Sequence, residues 1–172
     1  MSLMRNIARS YRAPGEVVTG LARGDLREPQ VLFFALLACG LIFVAQWPGL
    51  SRAAVVDPSV TFEQRMGATL FAVMFILPLL LYGLAGLLQL GVKLYHPVAG
   101  LHVRLAFFWS LLAVTPLMLL QGGLSAMLGP QDSLRAFQFV VFGVFLYMVG
   151  AGLRAVLRLT QGAVRADPEQ EG

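Results

Sequence analysis

In 172 residues the chain carries 58% hydrophobic and only 13% charged side chains, with a mean hydropathy of +0.74. Soluble domains average about 25% charged residues, so a water-solvated globule is excluded and an integral membrane protein is indicated. Thirteen Lys and Arg against nine Asp and Glu leave a net charge of +4, a basic balance that membrane orientation and anionic lipid explain without nucleic acid.

Residues 2–12 place Leu3, Met4, Ile7, Ala8 and Tyr11 at helical spacing, with Arg5, Asn6, Arg9, Ser10 and Arg12 between them. This predicts a short basic amphipathic helix that lies among anionic headgroups. Pro14 and Gly15 break it, and 16–26 offers a second short helix with Val17, Val18 and Leu21 on one side. The first sixteen residues hold neither a continuous apolar core nor a small-x-small site, so no cleaved signal peptide is expected there. Residues 1–30 thus read as a basic cytoplasmic segment.

The first span, 31–47, is VLFFALLACGLIFVAQW, with Trp47 at its far interface and Pro48 and Gly49 ending the helix. A long loop then runs to Arg65, in which Asp57 and Pro58 read as the cap and first residue of the next helix. The dominant span follows at 66–92, 27 residues without a charged side chain and with Pro78 at its middle. Such a run exceeds the roughly 20 apolar residues that a crossing needs, and the other spans are expected to arrange themselves around it. A turn holding His96 and His102 leads to the third span, 105–128, which carries Pro116; after Gly129 and Pro130 the fourth covers about 136–153. The membrane domain is therefore 31–159, and 160–172 reads as a disordered cytoplasmic tail. The fold class is all-α: an integral membrane bundle of four transmembrane helices behind an amphipathic N-terminal segment.

If the chain alternates sides, ten of the thirteen basic residues share one side and only Arg52, Arg65 and Arg135 take the other. The positive-inside rule then puts both termini in the cytoplasm.

Spans one and three share a faint repeat at an offset of 74 or 75, including Phe33 and Phe34 with Phe107 and Phe108, and Gln46 with Gln121. Pro78 and Pro116, near mid-depth, are candidate kinks or hinges. Small residues, namely Gly122 with Ala126, Ala151 with Ala155, and Gly83, Gly86, Gly143 and Gly150, are candidate helix-packing or partner surfaces.

No charged residue or histidine lies in a span core, which argues against a proton relay, an ion-selective ring or a membrane metalloprotease. Cys39 is the lone cysteine, so the chain holds no disulfide framework or thiolate cluster. His96 and His102, without a convergent carboxylate or thiol, read as interfacial side chains. No nucleotide, nucleophile-elbow or zinc-protease motif occurs, so neither catalysis, nor a cofactor, nor a metal is expected.

SYRAPGEVV, the Gln46, Trp47, Pro48 exit of span one, LPLLLYGLAGL and RLAFFWSLLAVTPLMLL together resemble bacterial members of the Yip-type (Ypt/Rab-interacting-protein) membrane family, over about 10–153. Before the first span the chain reads GDLREPQ where that family carries Asp-Leu-Tyr-Gly-Pro, and no functional residues transfer. The resemblance implies a non-enzymatic inner-membrane protein that scaffolds or assembles membrane components, with lipid headgroups and a membrane-protein partner or a second copy as its company. The alternative is a homo-oligomeric transporter or channel for a small neutral solute or lipid, built around Pro78 and Pro116.

Overall fold

The computed structural model describes residues 3–95, 98–128 and 132–166, and within 132–166 the side chains of 134–161. Its elements are α1 (Leu3–Ser10), α2 (Pro14–Ala22), α3 (Glu28–Val56), α4 (Phe62–Phe71), a π-helical turn (Ala72–Ile76), α5 (Leu77–Lys93), α6 (Gly100–Leu128) and α7 (Asp132–Ala166). Among the described residues four helical stretches are long and apolar enough to cross a membrane: Glu28–Val56, Phe62–Lys93, Gly100–Leu128 and Leu134–Gln161. The all-helical, four-span architecture is the one that the blocks of apolar residues predict.

Its centre is elsewhere than hydropathy suggests. The most apolar stretch, Phe62–Lys93, with a mean hydropathy of 2.4, has 17% of its apolar window buried, whereas Gly100–Leu128, the least apolar at 1.9, has 67% buried. Lipid tails are as apolar as leucine, so hydropathy ranks how well a helix tolerates lipid, not how central it is. Helix α6 is the core, with every residue from Leu105 to Thr115 buried. Around it lie α3, α5 and α7, and α1 and α2 also reach it.

Helix α3 does not stop at Pro48 and Gly49 but runs on to Val56. A proline removes one ladder hydrogen bond, and membrane-length helices tolerate this when neighbouring groups support the turn. The expected long loop shrinks to 57–61. Asp57 ends α3 and does not cap α4; the cap is Thr61, whose Oγ1 accepts from the Gln64 N–H (3.3 Å) while the Gln64 side chain accepts from the Thr61 N–H (3.1 Å). Asp57 organises the loop instead. It accepts from both the hydroxyl and the N–H of Ser59 and pairs with Arg65 at 2.8 Å, which holds its carboxyl below the ordinary carboxylate range.

Beyond the fourth span, α7 continues as helix to Ala166, so residues 160–166 of the expected disordered tail 160–172 are helical; residues 167–172 lie outside the described residues.

Helices α3 and α6 run parallel and in register. Glu28 pairs with Arg104 (3.1 Å), Phe34 meets Trp109 edge-on (centroids 5.2 Å), Ala45 meets Gly122, and Arg52 donates to the Ala126 carbonyl (3.2 Å). These partners are separated by 74 to 77 residues, so the faint repeat sets its related positions opposite one another.

The N-terminal helices are pinned to the bundle. Trp109 Nε1 donates to Ser10 Oγ at 2.9 Å in a buried contact, and Ser10 in turn donates to the Asn6 carbonyl at 2.8 Å. The Tyr11 hydroxyl donates to the Ala113 carbonyl at 2.7 Å. Partial burial pushes that phenol up, which keeps it in its donor form. Helix α2 packs along α7, where Gly15 lies against Ala151 and Ala155, and Val18 against Gly152. Amphipathic spacing alone cannot distinguish a lipid surface from a protein surface.

An apolar cleft with three glutamines

The small residues singled out in the sequence divide into two groups. A Cβ at Gly122 would collide with the Ala45 carbonyl oxygen, Ala126 offers its carbonyl to Arg52, and Ala151 and Ala155 receive Gly15. These four serve packing within the chain. Gly83 and Gly86 on α5 and Gly143 and Gly150 on α7 have no side chain or foreign backbone within 4 Å of where a Cβ would sit.

The two prolines also differ. Pro116 leaves the Leu112 carbonyl without its usual helix donor, and the Thr115 hydroxyl fills the place at 2.8 Å. Pro78 follows the π-helical turn, where the Leu77 N–H reaches back five residues to the Ala72 carbonyl. A π turn is a recognised cause of helix bending and explains how α4 and α5 join without a break. No sequence signal separated these two solutions, since each depends on what flanks the proline in space.

Because Gly122 admits α3 closely at Ala45, the adjacent residues, Gln46 after Ala45 and Gln121 before Gly122, come to the side of one cleft. It measures about 610 Å³ and opens between α3, α5, α6 and α7. Leu81 and Leu84, Phe107 and Leu111, and Phe142 and Phe145 supply its apolar walls. Its polar groups are Gln46, Gln121, Ser125 and Gln138. The Ser125 hydroxyl is satisfied by the Gly122 carbonyl at 2.8 Å. The three carboxamides make no hydrogen bond to any described residue, and they sit at the half of the bundle remote from the N-terminal helices.

The size falls in the range of ligand pockets, roughly 300–1,000 Å³, and the wall chemistry suits an apolar body bearing a few hydrogen-bonding groups. A carboxamide facing hydrocarbon seeks a partner, because an unsatisfied amide costs about 2 kcal/mol or more away from water. In the sequence the three glutamines stand out only as isolated polar residues beside apolar runs. Their convergence needed the α3–α6 crossing.

Among the described residues no three His, Cys, Asp or Glu side chains approach closely enough to hold a metal. His102 lies in the first turn of α6, half-buried, and His96 lies outside the described residues. Cys39 is buried in α3. Comparison with protein-family models, with characterised proteins and with solved structures finds no match for this chain.

Proposed function

We propose that this chain is a non-enzymatic, Yip-type membrane protein of the bacterial inner membrane that organises or assembles membrane components by seating a transmembrane helix of a partner protein in the glutamine-bearing cleft. The observation that carries this reading is the set of three carboxamides, Gln46, Gln121 and Gln138, that make no hydrogen bond to a described residue and share an otherwise apolar cleft. Glutamines that hydrogen-bond across helices are a recognised glue between membrane spans, and the open glycines of α5 and α7 admit close helix approach.

The test places a photocrosslinking amino acid at Phe142 and captures neighbours in native membranes. A single stoichiometric protein adduct is expected, reduced about tenfold when Gln46, Gln121 and Gln138 are all changed to leucine, since interhelical hydrogen bonds are worth about 0.6–2 kcal/mol each. Adducts with lipid alone, or a smear of proteins indifferent to the glutamines, would remove the reading.

The volume of the cleft supports a second reading, carriage of a small neutral solute or lipid by a homo-oligomer. In liposomes that reading requires flux sensitive to Pro116→Ala, and helix seating requires none.

Both termini are assigned to the cytoplasm on the distribution of arginine and lysine. In a Cys39→Ala background, a membrane-impermeant maleimide should label Ser59→Cys in intact cells and Arg23→Cys only after permeabilisation. The reverse pattern would invert the topology.

A further inference from the structure

We propose that the groove between α2 and α7 is a binding site for the phosphate of an anionic phospholipid, whose acyl chains run along α7 past Tyr147. The groove measures about 770 Å³ and is rimmed by Arg12, Arg23, Arg154 and Arg158. These come from separate parts of the chain: the turn before α2, the cap after it, and two successive turns of α7. They meet because Gly15 has no side chain. A Cβ there would stand 3.3 Å from Ala155 Cβ and 3.4 Å from the Ala151 carbonyl, so α2 closes onto α7 and draws both arginine pairs to one opening.

Among the described residues the charge in that opening is uncompensated. Glu16, the single carboxylate among the lining residues, is held by Arg9 at 2.7 Å. None of the four guanidinium groups makes an ion pair or hydrogen bond with a described residue. Four like charges around one opening repel each other, and the guanidinium fork matches phosphate oxygens better than any other common anion in a membrane. Tyr147 lies two helical turns nearer the membrane middle than Arg154 and is exposed. The opening is therefore cationic at one end and apolar at the other, which fits a phosphate carried on a lipid better than a free one. This site is separate from the glutamine cleft and stands whatever occupies that cleft.

The experiment uses the full chain in neutral maltoside micelles, titrated with phosphatidylglycerol or phosphatidylcholine and read by native mass spectrometry, with a parallel arm of inorganic phosphate. Phosphatidylglycerol should be retained as a discrete adduct and phosphatidylcholine should not. Arg154→Gln with Arg158→Gln should weaken retention by about tenfold or more, since each change removes a charge-assisted hydrogen bond to the phosphate. Arg5→Gln with Lys93→Gln removes the same charge away from the groove and should change retention less than about twofold. Arg154→Lys with Arg158→Lys keeps the charge and the fold but loses the fork, and should fall between. Equal loss in the groove and control pairs would reduce the site to diffuse surface attraction. Displacement of the lipid by low-millimolar inorganic phosphate would make the ligand a soluble phosphate, and unaltered binding in both arginine variants would overturn the site.

Discussion

Gly122→Ala should cost the protein most of its folded population in detergent, while the same change one residue later, at Gly123, should be neutral or mildly stabilising. The Cβ at 122 would be driven into the Ala45 carbonyl and lie within 3.3 Å of Ala45 Cα, whereas nothing lies within 4 Å of the corresponding position at 123. Overpacking a well-fitted core costs about 1–3 kcal/mol when side chains can yield, and more when they cannot. Here the obstructing group is backbone at the crossing of two long helices, so relief requires α3 to move away from α6. That movement would also open Phe34 from Trp109 and Arg52 from Ala126, contacts in register along the same pair. The expected loss is about 3 kcal/mol. At Gly123 only the intrinsic preference of helices for alanine over glycine acts, a gain of up to about 1 kcal/mol. Thermal or SDS denaturation of the two variants side by side reads the difference. Equal stability would mean that α3 and α6 do not cross at this point.

The second large effect is expected at Trp109. It is 1% exposed, packs edge-on against Phe34 and donates to Ser10. Trp109→Ala should destabilise by about 3–5 kcal/mol, the range for emptying a large buried aromatic site. It should also free α1, because among the described residues the indole is one of two polar anchors that tie the N-terminal segment to α6; Tyr11, just after α1, is the other. Trp109→Phe separates the parts. It keeps most of the volume and removes the N–H, so about 1 kcal/mol should be lost. Combined with Tyr11→Phe, both anchors are gone while the apolar contact of Ile7 remains. Limited proteolysis with trypsin supplies the readout, since Arg9 and Arg12 become cleavable only when the segment lifts. Cleavage in the double variant should rise at least tenfold over the native chain. Unchanged protection in Trp109→Ala would show that the N-terminal segment is held by something other than this aromatic contact.

The elements of this bundle were legible to different degrees, for identifiable reasons. The four spans could be read because any segment crossing hydrocarbon must satisfy its own backbone and be apolar for its full length, a requirement that acts on local composition. Helix ends were read less well. Pro48 looked like a stop, yet α3 passes through it, and Asp57 looked like a start, yet Thr61 and Gln64 perform that task. Both errors arise from residues whose local preference is compatible with two outcomes, between which neighbouring groups choose. The functional candidates show the same division. Gln46, Gln121 and Gln138 were visible as polar residues, and Arg12, Arg23, Arg154 and Arg158 as basic ones. That three of the first and all four of the second converge follows from two glycine contacts, Gly122 on Ala45 and Gly15 on Ala151 and Ala155. A glycine contact is silent in sequence because it consists of an absent side chain.

What the sequence determined by itself is the solvent: blocks of uncharged residues long enough to span lipid, with the arginines gathered in the segments between and beyond them. What only the tertiary structure decided is which helix is innermost, where α1 and α2 rest, and which polar groups share a cleft. The reason is physical. In water, burial and hydropathy rise together, so a core can be read from composition. In a membrane the outside is as apolar as the inside, and the most hydrophobic helix, through Pro78, faces outward, while α6, with Ser110, Thr115 and close-packed aromatic rings, takes the centre.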